Sequence, residues 1–316
     1  MPSPQIAIIG AGAIGTALAA RLAASGARLR VVARGARARQ IAQSGVVLKD
    51  LTGIHAARPE VCPRLTGPVS VMFLCVKCGS LRAAVEENIA GLGPDTRVVP
   101  LVNGIPWWFY GVARRPVAAV DPDGRLLDLV PLGQIVGAVT AMTAMFDDDG
   151  QTVRSTIPHK LVLGPIVPEG PRPVDLAEAL AAAGFALDRA DEVRPLVWEK
   201  LMLNLATNPI SALTGETLAD IAANAASLAR AQALADEVVV LARSFGATLD
   251  AGGLQARLAA AGHFPTSMLQ DARAGRPLEL APIVQAPLEL AGARHIEMPE
   301  TRRLLDDLNS RFVCAA

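Results

Sequence analysis

A stripe of polar residues interrupts an apolar stretch in the second half of the chain, where Lys200, Asn204 and Asn208 follow at intervals of four. On an α-helix this spacing places the three side chains along one face. Burial among apolar neighbours lowers the pKa of an amine, which would suit Lys200 to act as a general acid. The two amides can hydrogen-bond hydroxyl and carbonyl groups without adding charge. The alternative is a surface lysine on an amphipathic helix with two capping asparagines.

A second chemical motif lies near the N-terminus and has the pattern GxGxxG. The first glycine permits a tight turn out of a strand, the second lets a pyrophosphate approach the backbone, and the third allows close packing of helix on sheet. The helix that follows offers N–H groups and a positive dipole to phosphates. An apolar run at 6–9 precedes the motif and a helical pattern at 14–24 follows it, which is the required context. The alternative is a glycine-rich turn without a ligand. The motif consists of Gly10, Ala11, Gly12, Ala13, Ile14 and Gly15.

The residues after the second strand bear on the choice between NAD and NADP. An acidic residue there would hold the ribose hydroxyls of NAD, whereas this chain has no acid and three arginines, Arg34, Arg37 and Arg39. A guanidinium binds a 2′-phosphate in a fork. We therefore predict NADPH as the cofactor, with Arg34 as the main ligand and Arg37 or Arg39 in support. A solvated basic loop is the alternative.

Two further polar positions follow predicted strands. Lys77 comes after the strand at 70–76, and Asn103-Gly104 comes after the strand at 97–102. Open α/β sheets bind ligands at the carboxyl ends of their strands, so both positions are candidates for ligand contact. For Lys77 the alternative is an exposed lysine in a loop.

The elements that must position these residues fall into two groups. Short apolar strands alternate with helices in the first part of the chain, which predicts a doubly wound sheet. Two more strands with an acidic turn between them predict an antiparallel extension, and a proline-rich loop and a helix follow. The predicted strands are 6–9, 29–33, 70–76, 97–102, 136–145 and 160–163, the helices 14–24, 81–92 and 174–183, the acidic turn 147–150 and the loop 165–173.

Strand signals vanish from about Asp191, and the rest of the chain is rich in Ala, Leu, Glu and Arg. We predict an α/β Rossmann-type dinucleotide-binding domain over residues 1–186, followed by an all-α helical C-terminal domain over 187–316. The predicted helices of this second domain are 193–213, 217–245, 251–261, 279–293 and 300–313.

Composition excludes several other classes of protein. The 316 residues are 51% hydrophobic, and 30 basic residues balance 30 acidic ones, which argues against nucleic-acid binding and against binding to an anionic membrane. Four cysteines form no disulfide framework, so we expect a soluble protein of the cytoplasm. Cys75 and Cys78 form a CxxC without a second pair, which we interpret as a strand end and not as a zinc site. The other two are Cys62 and Cys314.

The chain resembles the ketopantoate reductases (2-dehydropantoate 2-reductases) over nearly its full length. The resemblance implies reduction of ketopantoate to pantoate with NADPH, a step of pantothenate biosynthesis. It also implies that Lys200 is catalytic and that Asn204 and Asn208 bind the substrate. The motifs that carry it are GAGAIG at 10–15, Arg34, Lys77 after FLCV, Asn103-Gly104, WEKLMLNLATNP at 198–209 and SMLQDARAGRPLE at 267–279.

The same resemblance assigns roles to four other residues. Ser267 would contact the substrate carboxylate, and Glu279 would contact the cofactor and influence the active site. Lys77 and Asn103 would reach the ribose and nicotinamide, and Asn103 would also meet the substrate. Physically, Glu279 near Lys200 would help to keep the amine protonated. The alternatives are an N-cap serine for Ser267 and a solvated glutamate for Glu279.

Some positions depart from the family pattern. Aromatic residues cluster at 107–110, Leu218 replaces a family asparagine, and Leu280 to Gln285 replaces a stretch with Asp and then Asn-Gly. One hypothesis is that the aromatic rings line a substrate entrance or a subunit contact and favour a bulkier 2-keto acid; a plug over the core is the other. A 3-hydroxyacid dehydrogenase and a non-catalytic NADPH sensor are further alternatives for the function. A homodimer is the expected assembly.

Overall fold

The structure is a computed structural model that describes residues 5–171 and 174–312. Contacts divide the chain into two compact units, and both are built from more than one segment. The sheet unit consists of the chain up to Val102, Tyr110–Arg115 and Gly124–Val193. The helical unit consists of Asn103–Phe109, Pro116–Asp123 and the chain from Arg194 onward.

A parallel sheet of five strands forms the centre of the sheet unit, in the order β5-β2-β1-β6-β7. All four residues of the first strand are buried, which explains why the strand is a continuous apolar run. The strand order changes direction beside β1, where sheets of this kind bind their ligands. The strands are β1 (Ile6–Ile9), β2 (Leu29–Val32), β5 (Glu60–Cys62), β6 (Val71–Leu74) and β7 (Arg97–Pro100), and the helices around them are α1 (Ala13–Ala24), α2 (Gly35–Ser44) and α3 (Leu81–Glu87).

Two smaller sheets complete this unit. In one, the strands lie in the order β4-β3-β10-β9, and in the other β8 pairs antiparallel with β11, which pairs parallel with β12. The predicted strands at 136–145 and 160–163 do pair antiparallel, but they form a separate sheet and do not extend the central one. The elements are β3 (Val46–Asp50), β4 (Gly53–Ala57), α4 (Arg125–Leu129), β8 (Val136–Ala141), β9 (Met145–Phe146), β10 (Thr152–Arg154), β11 (Lys160–Pro165), α5 (Val174–Ala182) and β12 (Ala186–Arg189).

The acidic turn at 147–150 connects other strands than the two that it was predicted to join. The Asp147 amide donates a hydrogen bond to the Thr152 carbonyl oxygen and closes the turn between β9 and β10. The Asp149 carboxylate accepts hydrogen bonds from the Gln151 and Thr152 amides, so it fixes this short hairpin. The chain makes this extra hairpin before it returns to β11.

The compact units differ from a single division of the chain at residue 186, since Asn103–Phe109 and Pro116–Asp123 belong to the helical unit. A boundary between residues 186 and 187 would cut β12, which is paired with β11 through Ala186 to Arg189. The compact units change over between Val193 and Arg194. The sequence pattern missed β12 because its residues are mostly exposed and carry no alternating apolar face.

The described residues of the helical unit contain helices and no strand. The long α6 packs against α8, α10 and α12. The predicted helix at 217–245 is two helices, because the Asn224 side chain accepts hydrogen bonds from the Ala226 and Ser227 amides and starts a new helix there. The elements are α6 (Arg194–Thr214), α7 (Leu218–Ala223), α8 (Ala225–Ser244), α9 (Leu254–Ala261), α10 (Ser267–Arg273), a π-turn (Ala281–Gln285), α11 (Ala286–Gly292) and α12 (Pro299–Phe312).

The aromatic cluster belongs to the core of the helical unit. Trp107, Trp108 and Phe109 are 1%, 2% and 3% exposed. The Phe109 ring meets the Trp198 ring edge-on at 5.3 Å and the Phe245 ring at 5.4 Å. This burial contradicts the hypothesis of an entrance lining or subunit contact for these three rings, and the plug over the core is the interpretation that fits.

Candidate active site

The glycine motif forms a cradle between β1 and α1. Gly10 has a φ of +102°, and a Cβ atom there would lie 2.7 Å from the Val76 side chain and 2.8 Å from the Cys75 carbonyl oxygen. A Cβ on Gly15 would lie 2.0 Å from the Gly10 carbonyl oxygen. In contrast, a Cβ on Gly12 would meet no atom within 4 Å. The two outer glycines are therefore required for packing, and the middle one faces open space.

This cradle fits the pyrophosphate of a dinucleotide. Gly12 is the N-cap of α1, and no side chain caps the helix there. The amides of the first helical turn thus remain available for an anion, and the helix dipole favours negative charge at the same point. The fit supports the predicted binding role of Gly10, Ala11, Gly12, Ala13, Ile14 and Gly15.

Two of the predicted arginines have different environments. Arg34 is the N-cap residue of α2, its side chain is 67% exposed, and one of its nitrogens lies 2.8 Å from both carboxylate oxygens of Glu87. Arg37 is held on the glycine loop, where it donates to the Ala11 carbonyl at 3.1 Å and to the Thr16 hydroxyl at 2.7 Å. Arg34 can reorient toward a ligand in solvent, whereas Arg37 fixes the shape of the loop.

Arg39, the third candidate, is exposed. Lys77 lies at the carboxyl end of β6, just before a single turn of 3₁₀-helix at Cys78–Ser80. Cys78 in that turn is buried, and burial raises the pKa of Cys75 to about 12, which disfavours a thiolate at Cys75. Cys314 lies outside the described residues. No group of three potential metal ligands occurs among the residues that the structure describes.

In the helical unit, α6 carries the predicted stripe of polar residues. Burial lowers the pKa of Lys200 to about 8, and the negative charge of Glu279 partly opposes this shift. An amine with this pKa remains mainly protonated at neutral pH and still releases its proton more readily than a solvated lysine. The structure therefore brings together the two residues that were predicted to be catalytic, and Glu279 is partly buried there.

The two asparagines follow Lys200 at successive turns of the same helix. The side-chain nitrogen of Asn204 is buried and has no hydrogen-bond partner. Asn208 is buried, and α6 continues past it through Pro209 to Thr214, so the helix does not end at the proline. An unpartnered buried amide is costly, and a ligand oxygen would satisfy that of Asn204.

Ser267 and Asn103 also belong to the helical unit. Ser267 is the first residue of α10 and is exposed, while Thr266 is the N-cap and accepts a hydrogen bond from the Leu269 amide. The capping alternative for Ser267 is therefore wrong, and its hydroxyl is left for another partner. Asn103 lies half-buried at the start of the segment that contains the aromatic cluster.

Comparison with known proteins identifies the family of this chain. The family model described as ketopantoate reductase PanE/ApbA matches residues 6–168, and the model of the family's C-terminal domain matches residues 192–311. The chain belongs to the ketopantoate reductase family. The resemblance deduced from the sequence is thereby confirmed, and so are the predicted fold class and the predicted class of enzyme, an NADP-dependent oxidoreductase that acts on a CH–OH group.

Individual relatives extend over nearly the whole chain. A 2-dehydropantoate 2-reductase of Mesorhizobium japonicum is 35% identical over 301 residues, which are 90% of this chain and 91% of the relative. The crystal structure of 2-dehydropantoate 2-reductase from Geobacter metallireducens is 25% identical, covers 97% of this chain and 99% of its own, and has a TM-score of 0.85. D-mandelate dehydrogenase, solved with NADH and anilino(oxo)acetate, covers 98% and 99% with a TM-score of 0.84 but is 19% identical, so that likeness concerns the fold.

Three residues that shape the site were missed or underestimated in the sequence analysis. Arg37 was expected only as support for Arg34, and nothing in the sequence indicated its contact with Ala11. Glu87 lies within the helix predicted at 81–92, and only the fold shows that it pairs with Arg34. Pro282 contacts the segment after Asn103, as described below. Among the described residues, no helix of this family member has the length and apolar character to cross a membrane.

Proposed function

We propose that this chain reduces 2-dehydropantoate to pantoate with NADPH and that Lys200 protonates the product oxygen. The observation that carries the proposal is the pair of Lys200 and Glu279, in which burial brings the pKa of the amine to about 8. A proton donor of this strength, next to neutral amides on the same helix, suits a carbonyl that becomes an alkoxide. Membership of the family and the Mesorhizobium japonicum relative support this substrate.

Each site residue has a role that follows from its chemistry. The bound cofactor would supply the hydride. The glycine loop, Arg34 and Lys77 would hold its phosphates and ribose, and Asn103 would contact its nicotinamide as well as the substrate. Asn204 would donate a hydrogen bond through its unpartnered amide nitrogen. Asn208 would bind a substrate hydroxyl, and Ser267 the carboxylate. Glu279 would keep Lys200 protonated until transfer.

Steady-state turnover with a panel of substrates tests the proposal. The loss of reduced-nicotinamide absorbance is followed with ketopantoate, with a smaller branched 2-keto acid and with an aromatic one, each with NADPH and with NADH. We expect the highest kcat/KM for ketopantoate with NADPH. Faster turnover of the aromatic acid would contradict the substrate assignment while the reaction type stands, and NADPH binding without turnover of any 2-keto acid would indicate a sensor.

The Asn204→Ala variant adds a test of the site itself. Because this variant removes the unpartnered donor, it should raise KM for the keto acid and leave the Kd of NADPH unchanged.

We also propose a homodimer in the cytoplasm. Light scattering at several protein concentrations measures the dimer, and a monomer at all of them would contradict it.

A further inference from the structure

The backbone after β7 makes close contact with the π-turn of the helical unit. The Ile105 amide donates to the Pro282 carbonyl oxygen at 2.8 Å. Gly104 has a φ of +78°, and a Cβ atom there would lie 2.2 Å from the same oxygen and 2.4 Å from its carbon. Only glycine can therefore precede this hydrogen bond without a backbone shift.

The local sequence explains why the Pro282 oxygen is available. The Ala286 amide is the helical donor nearest to the Pro282 carbonyl, but in the π-turn it donates to the Ala281 carbonyl instead. The next residue, Pro287, has no N–H. The Pro282 carbonyl thus lacks a helical donor, and a buried carbonyl without a partner is unfavourable. The Ile105 amide supplies the missing hydrogen bond.

The contact joins two parts of the predicted active site. Asn103 lies two residues before Ile105, and Glu279 lies three residues before Pro282. The π-turn also packs against α6, which carries Lys200. Single π-turns inside helices are often found at functional sites because they re-aim backbone groups.

A second contact holds the same part of the chain. The Glu289 carboxylate on α11 accepts hydrogen bonds from the Ala118 amide at 2.8 Å and from the Ala119 amide at 2.7 Å. Two segments that follow β7 in sequence are therefore attached to the π-turn and to α11. The Ile105 contact is the one adjacent to a predicted ligand residue.

We propose that the hydrogen bond from Ile105 to Pro282, with Gly104 beside it, positions Asn103 relative to Glu279 and Lys200. Gly104, Pro282 and Pro287 are positioning residues, because they act through Asn103 and do not touch the ligand. The proposal rests on the proposed function, since it assumes that Asn103 contacts substrate and nicotinamide. A displacement of about 1 Å at such a group can reduce turnover about 100-fold.

The Gly104→Ala variant is the first test, and Gly26→Ala is its matched control. Gly26 has a φ of +84° at the end of α1, and a Cβ there meets nothing within 4 Å, so the control carries the conformational cost without the clash. We expect kcat of Gly104→Ala to fall about 10-fold to 100-fold, with NADPH affinity close to that of the control. Equal kcat values for the two folded variants would overturn the proposal.

Pro287→Ala is a second variant that should fold. It adds an N–H that can compete with Ile105 for the Pro282 carbonyl. We therefore expect kcat to fall several-fold, with a decrease in log kcat roughly half of that in Gly104→Ala. The melting temperature should stay level or rise. A merely structural role would change kcat and melting temperature together. Amide hydrogen exchange of the 103–109 segment should also become faster in this variant.

Hydrogen exchange separates this proposal from the substrate assignment. Turnover is measured with the 2-keto acid that the wild type reduces fastest, so failure with ketopantoate alone contradicts only the substrate. Unchanged exchange at Ile105 in Pro287→Ala would overturn the positioning contact whatever the substrate is.

Discussion

The two units prepare for their ligands with different chemical groups. The sheet unit offers backbone amides at a glycine that faces open space, and an arginine whose side chain is mostly exposed. The helical unit offers side chains that are wholly or partly buried, and one of them has a pKa that burial lowers to about 8. Phosphates need positive charge that solvent can reach, whereas proton transfer needs an amine removed from water. Substitutions in the two units should therefore have different kinetic signatures.

The largest difference is expected for Lys200→Ala. This change removes the proton donor, so kcat should fall about 100-fold to 10,000-fold while NADPH binding is retained. Turnover assays and titration of NADPH fluorescence measure the two effects. Lys160→Ala is a matched control, because Lys160 pairs with Asp188 on the surface of the sheet unit. If Lys200→Ala kept the kcat of the wild type, Lys200 would not be the proton donor, and the expected difference between the two units would be wrong.

The glycine loop should show the opposite signature. Gly12→Ala introduces no clash and no strained φ, since this residue has a φ of −69°, but its methyl group would enter the space of the pyrophosphate. We expect an unchanged melting temperature without cofactor and NADPH affinity weaker by about tenfold or more, which is about 1.4 kcal/mol.

Gly15→Ala is the partner of that experiment. Its Cβ would lie 2.0 Å from the Gly10 carbonyl oxygen, so the loop must shift and the melting temperature should fall along with NADPH affinity. If Gly12→Ala binds NADPH like the wild type, the backbone at that residue is not approached by the cofactor.

Arg34 should control the choice between NADPH and NADH. Arg34→Ala removes a charge-assisted contact worth about 1.5–3 kcal/mol, so NADPH affinity should fall about 10-fold to 100-fold and NADH affinity should stay level. Glu87→Gln removes the competing carboxylate, and its effect should be a gain of a few-fold at most, since exposed ion pairs contribute about 0–1 kcal/mol. Arg28→Ala is the control, because this exposed arginine precedes β2 at the end opposite the strand's carboxyl end. An equal loss with both cofactors would contradict a phosphate contact.

The smallest effect concerns the pH profile. Reduction requires protonated Lys200, so kcat/KM should decline as the pH rises through about 8. The Glu279 carboxylate raises the pKa of this amine, and Glu279→Gln removes that contribution. The basic limb of the profile should therefore move to lower pH. A limb that stays in place or moves to higher pH would show that the two groups are not coupled in solution.

Much of this architecture could be predicted from the sequence because local patterns determine it. The buried parallel strands are continuous apolar runs, and the glycine motif occurs where a strand meets a helix. The spacing of Lys200, Asn204 and Asn208 needs only the period of an α-helix. These features depend on neighbours in the sequence, which a single chain reveals.

The missed features depend on contacts between distant residues. No element was predicted where α2 lies, since Ile41 is its only buried residue and gives no apolar periodicity. The break at Asn224 requires a side-chain cap inside a long helical pattern. In the π-turn at Ala281–Gln285, the Pro282 carbonyl accepts a hydrogen bond from the Ile105 amide, and no local sequence pattern indicates so distant a donor. The burial of Trp107 and Trp108 likewise depends on tertiary packing, which the local sequence does not show.

The interleaved segments of the helical unit have a consequence for protein engineering. A fragment that begins at Arg194 would lack Phe109, whose ring packs against both Trp198 and Phe245, and it would lack the amides that satisfy Glu289 and Pro282. Such a fragment should expose apolar surface and aggregate. Chimeras that exchange the substrate domain between relatives should therefore transfer Asn103–Phe109 and Pro116–Asp123 together with the C-terminal part. A crossover at a single junction would pair each half with a foreign core.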